Sequence, residues 1–168
     1  MEGMYNLVKD FFSHDMDLDD LFDSEAIIWI DWREYDKDVV NYFNDMMDEP
    51  IDIKTVSNGK AYGDDIVLKN GNKKLQIPYG DEQDRDVTIK NFNDFVKPDY
   101  EVRWFAESLG NDTLGFTVLS GAEWANLEDE FGADTVRYYF EPINLESNMF
   151  NLDMDEVSAL LELRENNR

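Results

Sequence analysis

The chain has 168 residues and carries 39 Asp and Glu against 15 Lys and Arg, which gives a formal charge of −24 at pH 7. This balance argues against nucleic-acid binding, because contacts to phosphates need Lys and Arg, and the absence of Cys excludes disulfides and cysteine-ligated zinc. A hydrophobic fraction of 42% and an aromatic fraction of 14% are enough for a folded core, so we expect one domain over residues 1–168. No apolar run approaches the roughly 20 residues of a membrane span. The first residues also lack the basic segment followed by an apolar run that is typical of a signal peptide. We therefore expect a cytoplasmic protein that does not contact membranes.

The first fifty residues predict helices and one strand. Apolar residues at helical spacing predict a helix over residues 3–13 and a short helical turn over residues 17–22. The apolar run over residues 26–30 predicts a buried strand. Asp36 is a suitable N-cap for the next helix. The buried face of that helix is expected to consist of Val39, Val40, Phe43, Met46 and Met47.

The middle of the chain predicts three strands and a helix. Residues 51–56 predict the first of these strands. Residues 65–69 and 73–77 flank Asn70-Gly71-Asn72, which is typical of a β-hairpin because Asn and Gly accept positive φ. Apolar residues at helical spacing then predict a helix over residues 89–96.

The next segment predicts two paired strands, a helix and a last strand. Residues 100–104 alternate between apolar and charged side chains, as in a half-buried strand. Residues 113–119 predict a second strand antiparallel to the first. Ser120 and Glu123 have the spacing of a capping box at the start of a helix. Residues 136–140 predict the last strand.

A final helix completes the pattern, and we expect Asp153 and Glu156 to open it. One face of this helix is expected to carry Met154, Val157, Leu160 and Leu161. The order of elements predicts an α+β fold, a single domain with a mostly antiparallel sheet and helices packed on it.

No pattern in the chain predicts catalysis. The only histidine, His14, is expected at the end of the first helix, where its cation would face the negative end of the helix dipole. The segments that begin at Asp15 and Asn151 imitate half of a calcium loop, but each lacks the glycine of the sixth position. There is no glycine-rich phosphate loop, nucleophile elbow or metal-binding histidine pair. We therefore predict a protein that is not an enzyme and has no cofactor; a carboxylate metal site at Asp153 and Asp155 is the enzymatic alternative.

Carboxylates interrupted by aromatic residues predict a surface that docks another protein. Aromatic side chains supply much of the affinity at interfaces, whereas carboxylates steer the encounter with a basic partner. Trp32 and Tyr35 are the expected anchors. The candidate partner-binding residues are Asp15, Asp17, Asp19, Asp20, Asp23, Asp31, Trp32, Glu34, Tyr35, Asp36 and Asp38. The alternative for these residues is a solvated acidic surface with helix caps, and the loop over residues 81–86 is a second docking candidate.

Four segments between residues 98 and 150 form a recognisable set. They are Pro98-Asp99-Tyr100-Glu101-Val102-Arg103, Ser108-Leu109-Gly110-Asn111-Asp112-Thr113-Leu114-Gly115-Phe116, Trp124-x-x-Leu127-Glu128 and Phe140-x-Pro142-Ile143. This part of the chain, about a third of it, resembles small bacterial immunity proteins associated with secreted interbacterial toxins. The resemblance implies a protein that binds and neutralises a cognate toxin with a basic surface, such as a nuclease, and it carries over no catalytic residue. The alternative is an acidic DNA mimic that inhibits a nucleic-acid-binding host protein.

Overall fold

The computed structural model describes residues 2–31, 34–57, 59, 64–79, 84–109, 113–147, 149–150, 152 and 154–166. The helices in these ranges are α1 (Glu2–Phe12), α2 (Leu18–Phe22), α3 (Asp36–Asp45), α4 (Arg85–Val96), α5 (Gly121–Phe131), α6 (Ala133–Tyr139) and α7 (Met154–Asn166). The strands are β1 (Ile28–Asp31), β2 (Asp52–Ser57), β3 (Asp64–Asn70), β4 (Lys73–Gln76), β5 (Tyr100–Phe105), β6 (Thr113–Ser120) and β7 (Phe140–Pro142). A short 3-10 helix spans Ala106–Ser108.

The strands form two antiparallel sheets, and helices pack on them, so the predicted α+β class is confirmed. The main sheet has the order β1-β6-β5-β7, and Trp29 of β1 lies opposite Gly115 of β6. The small sheet has the order β2-β3-β4, and Leu68 of β3 lies opposite Leu75 of β4. The strands are thus divided between two sheets rather than collected in one.

Local signals in the sequence correctly predict two connections. The hairpin of the small sheet turns at Gly71, which has a φ of +61°. The capping box at the start of α5 is present, because the Ser120 hydroxyl accepts from the Glu123 amide at 3.1 Å and the Glu123 carboxylate accepts from the Ser120 amide at 2.9 Å. The predicted antiparallel pairing of β5 with β6 is also confirmed.

The predicted strand over residues 136–140 is wrong. Most of this segment belongs to α6, and only Phe140 enters β7. Short apolar runs do not distinguish a strand from a buried helix. In the helix that forms, Val136 is fully buried and Arg137 donates to the Glu128 carboxylate of α5 at 2.8 Å. Gly132, with a φ of +95°, makes the corner between the two helices.

Two helix starts differ from the prediction. The N-cap of α3 is Tyr35, which makes no side-chain cap hydrogen bond, and Asp36 is the first helical residue. The Asp36 carboxylate is used in a tertiary contact described below, and so it does not cap the helix. Helix α4 begins earlier than predicted, at Arg85, because the Asp84 carboxylate accepts from the Asp86 amide at 2.9 Å.

The apolar face predicted for α7 is divided between the protein and solvent. Val157 and Leu160 are half-buried, whereas Met154 is 83% exposed and Leu161 is 44% exposed. Arg164 follows Leu160 by one helical turn and is bonded to the 3-10 helix and to α6. These bonds fix which side of α7 faces the protein.

Aromatic rings fill the centre of the core. Phe43 of α3 contacts Phe92 of α4 and Phe116 of β6, with ring centroids 5.6 and 6.0 Å apart. Trp124 of α5 contacts Phe140 of β7 at 5.5 Å. Buried side chains of β3 join the same cluster. The core thus holds both sheets and fixes the elements that carry the charged surfaces.

Candidate interaction surface

The turn after α1 and the short helix α2 carry five exposed carboxylates, which we call the acidic cluster: Asp15, Asp17, Asp19, Asp20 and Asp23. Asp17 is the N-cap of α2, and its carboxylate accepts from the Asp20 amide at 2.8 Å. No Lys or Arg in the described ranges lies within ion-pair distance of these carboxylates. Repulsion raises the pKa of Asp20, and the charge of Asp17 is the largest cause. The cluster is therefore negative charge that faces solvent, with no counter-charge among the residues that the structure describes.

Helix α2 is held firmly although it has only five residues. Leu21 is fully buried, and Phe22 contacts the rings of Trp29 and Phe105 at 5.5 and 5.2 Å. The Trp29 indole also donates to the Phe22 carbonyl at 3.3 Å. A surface that is fixed before binding loses less conformational entropy when a partner arrives.

A second group of candidates lies at the start of α3, and we call it the α3 patch: Glu34, Tyr35, Asp38 and Tyr42. Tyr35 is 75% exposed, the most exposed aromatic side chain among the described residues. The Tyr42 hydroxyl donates to the Glu34 carboxylate at 3.0 Å, and this hydrogen bond is the largest cause of a raised Tyr42 pKa. The sequence prediction missed Tyr42, although its position one helical turn after Asp38 could have indicated it. Trp32 lies outside the described residues.

Asp36 differs from the other candidates because it is buried, with 4% of its surface exposed. Its carboxylate accepts from the Arg85 guanidinium at 2.8 Å and from the Thr88 hydroxyl at 2.9 Å. Arg85 also donates to the carbonyl oxygens of Asp31 and Glu34. Arg85 therefore binds the end of β1 and the start of α3, and the Asp36 carboxylate does not face solvent.

The acidic cluster and the α3 patch lie at opposite ends of β1. Helix α2 precedes this strand and α3 follows it. Strand β1 has four residues, so it spans roughly 10 Å, and it lies at the edge of the main sheet. The predicted site is therefore two groups flanking one edge strand, with half-buried Trp29 between them.

A groove of about 890 Å³ lies between α2, the 3-10 helix and α6. Its walls include Leu18 of α2, Glu107 of the 3-10 helix, and Asp134, Arg137 and Tyr138 of α6. The sequence prediction missed this groove because it assigned part of α6 to a strand. The spacing of Asp134, Arg137 and Tyr138, at positions i, i+3 and i+4, is the signal that could have indicated a helix wall.

The remaining candidates have structural roles or lie outside the described residues. His14 follows the end of α1 as predicted, with a φ of +66°. Asp86, from the second docking candidate, is buried and accepts from the amides of Met149 and Phe150 at 2.9–3.1 Å. The candidates outside the described residues are residues 81–83, Asn151 and Asp153.

The described residues and the comparisons with known proteins give no candidate functional site besides the acidic cluster, the α3 patch and the groove. Within the described ranges, no three His, Asp or Glu side chains are grouped as metal ligands would be. None of the described helices combines the length and apolar character needed to cross a membrane. Nothing among protein-family models, curated proteins or solved structures matches the chain. The features of this chain that bear on function are therefore the geometry and charge of its surface.

Proposed function

We propose that the protein is an immunity protein that neutralises a cognate bacterial toxin by tight, stoichiometric binding. The observation that supports this proposal is the acidic cluster, five exposed carboxylates in and beside a fixed short helix, with no basic partner in the described part of the chain. A protein with a basic surface would supply the counter-charges. The partner is a protein rather than a nucleic acid, because phosphates would be repelled by the same charge.

The energetics of the cluster favour binding to such a partner. Asp17, Asp19 and Asp23 all raise the pKa of Asp20, which means that the charged cluster is held together against repulsion. Lys or Arg side chains of a partner would turn this repulsion into attraction. The net charge of −24 would also steer a basic partner and raise its association rate.

The acidic charge of the proposed surface points to the kind of partner. Toxins that attack nucleic acids or nucleotides have basic sites, because their substrates carry phosphates. A surface rich in carboxylates can occupy such a site in place of the substrate. We therefore propose that the toxin acts in the cytosol and that this protein protects the cell there.

The α3 patch supplies the aromatic part of the proposed interface. Tyr35 is largely exposed, and Tyr42 is fixed by its hydrogen bond to Glu34. Tyrosine is enriched among the residues that dominate interface affinity. We propose Tyr35, together with Trp32, as the anchor that slows dissociation after the acidic cluster has guided the encounter.

Co-expression with a candidate toxin from the same genetic locus tests the proposal. The wild-type chain should restore growth and elute with the toxin in gel filtration. A cluster variant, with Asp17, Asp19, Asp20 and Asp23 changed to Asn, should protect poorly. A control variant has the same net charge but changes exposed carboxylates elsewhere, namely Asp52, Asp94, Asp129 and Asp155, to Asn.

Three results would contradict the proposal. The first is a wild-type chain that neither restores growth nor forms a complex. The second is equal loss of protection in the cluster and control variants, which would show that only net charge matters. The third is tight binding of the wild-type chain to several unrelated DNA-binding proteins, which would favour DNA mimicry instead.

A further inference from the structure

The groove and the acidic cluster share helix α2. Leu18 lines the groove and lies in the sequence between Asp17 and Asp19. Two cluster carboxylates therefore flank the residue that forms this wall. A partner held by the cluster would present its nearest side chains at the mouth of the groove.

The opposite wall carries a carboxylate and two tyrosines on fixed positions of α6. Tyr138 stacks on the Arg164 guanidinium, which lies 4.1 Å from the ring centroid. Tyr139 contacts the rings of Phe11 and Phe12 at 5.0 and 6.0 Å. These aromatic side chains are positioned by packing within the protein, and so they need no rearrangement to receive a ligand.

The charges around the groove leave a negative excess. Arg137 donates to Glu128 at 2.8 Å, and Arg164 donates to Glu107 at 2.6 Å, so each guanidinium is already balanced by a carboxylate. Asp134 adds a further exposed carboxylate to the wall. Together with the acidic cluster, Asp134 makes the groove complementary to positive charge.

We propose that this groove receives a Lys- or Arg-bearing loop of the toxin. The charged end of the side chain would lie near Asp134 and the acidic cluster, and its alkyl stem would pack on Tyr138 and Tyr139. A volume of about 890 Å³ is in the range of ligand pockets and suits several residues of a loop. This inference rests on the proposed function and adds a second anchor point to the aromatic anchor at Trp32 and Tyr35.

A peptide titration tests the groove without the toxin. The probe is a ten-residue Gly/Ser peptide with three Arg, and its control peptide has Gln in place of Arg. The ¹⁵N-labelled protein is titrated at about 0.15 M salt, where the Debye length is roughly 8 Å. We expect the Arg peptide to shift the amide signals of Leu18, Thr135 and Tyr138, and the Gln peptide to leave them unchanged.

A groove-filling variant separates the groove from diffuse attraction to an acidic protein. Thr135→Trp fills the groove without changing charge, and Thr135 is exposed, so the fold should tolerate it. The matched control is Asn126→Trp, which replaces another neutral polar side chain at an exposed position of α5 that does not line the groove. Thr135→Trp should weaken Arg-peptide binding at least tenfold, and Asn126→Trp should change it less than twofold. Equal binding to both variants, equal binding of the two peptides, or no binding of the Arg peptide would overturn the inference.

The co-expression assay distinguishes failure of this inference from failure of the proposed function. If the wild-type chain protects and Thr135→Trp protects equally with unchanged toxin affinity, the groove is not the anchor, and the proposed function stands. If the wild-type chain does not bind the toxin, the proposed function fails. The peptide titration then still decides whether the groove takes cationic segments.

Discussion

The Arg85 guanidinium lies 2.8 Å from the Asp36 carboxylate, and both side chains are almost fully buried. Arg85 also donates to the carbonyl oxygens of Asp31 and Glu34, so one side chain of α4 fixes the end of β1 and the segment of residues 34–36 at the start of α3. This segment carries Tyr35 of the α3 patch. The position of the proposed aromatic anchor therefore depends on a buried ion pair behind it.

Changing Arg85 to Met should destabilise the protein strongly. The substitution leaves the Asp36 carboxylate buried with no counter-charge, and such losses cost about 3–5 kcal/mol. Urea unfolding followed by tryptophan fluorescence measures the effect. The double variant Arg85→Met with Asp36→Asn should recover part of the loss, because no charge is then left unpaired. A loss below about 1 kcal/mol for Arg85→Met would show that the pair does not hold this segment.

Neutralising the acidic cluster should leave the fold intact and stabilise it slightly at neutral pH. The pKa of Asp20 is raised by its acidic neighbours, so the folded state binds a proton more readily than the unfolded state. The wild-type chain therefore loses the stabilisation that comes from protonated Asp20 as pH rises through the folded-state pKa of this residue. The Asp20→Asn variant has no charge at this position and does not lose that contribution. The free energy of unfolding of Asp20→Asn should exceed that of wild type at pH 7, and the difference should disappear at low pH. A large destabilisation at pH 7 would show that the cluster is structural.

Glu128 should have the opposite pH dependence. Burial alone would raise its pKa, but the hydrogen bonds and charges of Arg137 and Arg103 outweigh burial and lower it. A carboxylate whose pKa is lowered in the folded state stabilises the protein at pH values above its unfolded-state pKa. This stabilisation is lost as pH falls through the folded-state pKa. Glu128→Gln should cost about 1–3 kcal/mol at pH 7, because Arg103 is only 4% exposed and loses a charged partner. Thermal unfolding from pH 7 to pH 2.5 should show the difference shrink with acidification, and a constant difference would contradict the assignment.

Salt and the aromatic anchor should affect different rates of toxin binding. Raising salt from about 0.05 to 0.5 M shortens the Debye length from roughly 14 to 4 Å. Association should slow markedly across this range, while dissociation changes little. Trp32→Ala and Tyr35→Ala should instead accelerate dissociation. Surface plasmon resonance can measure the two rates separately. Association that does not depend on salt, together with dissociation that does not change in either variant, would place the interface elsewhere.

Sequence patterns predicted most elements because their signals were local. The hairpin at Gly71 and the capping box of Ser120 and Glu123 need only neighbouring residues, and both are present. The strand predicted over residues 136–140 is wrong because a short apolar run fits a buried helix as well as a strand.

The candidate site was predicted unevenly for the same reason. The exposure of the carboxylates in the acidic cluster could be predicted from the high acidic content of this segment and from its short amphipathic turn. The burial of Asp36 could not be predicted, because its partner Arg85 is 49 residues away in the sequence. The groove was missed because it forms only when α2, the 3-10 helix and α6 come together.

Titration of the purified toxin with this protein tests the central claim most directly. Toxin activity is measured while the wild-type chain, the cluster variant and the control variant are added in turn. Our account predicts that activity falls linearly and ends at one equivalent of wild type or control, whereas the cluster variant needs a large excess although it is fully folded. Undiminished toxin activity at an excess of wild type, or an equally sharp end point with the cluster variant, would contradict it.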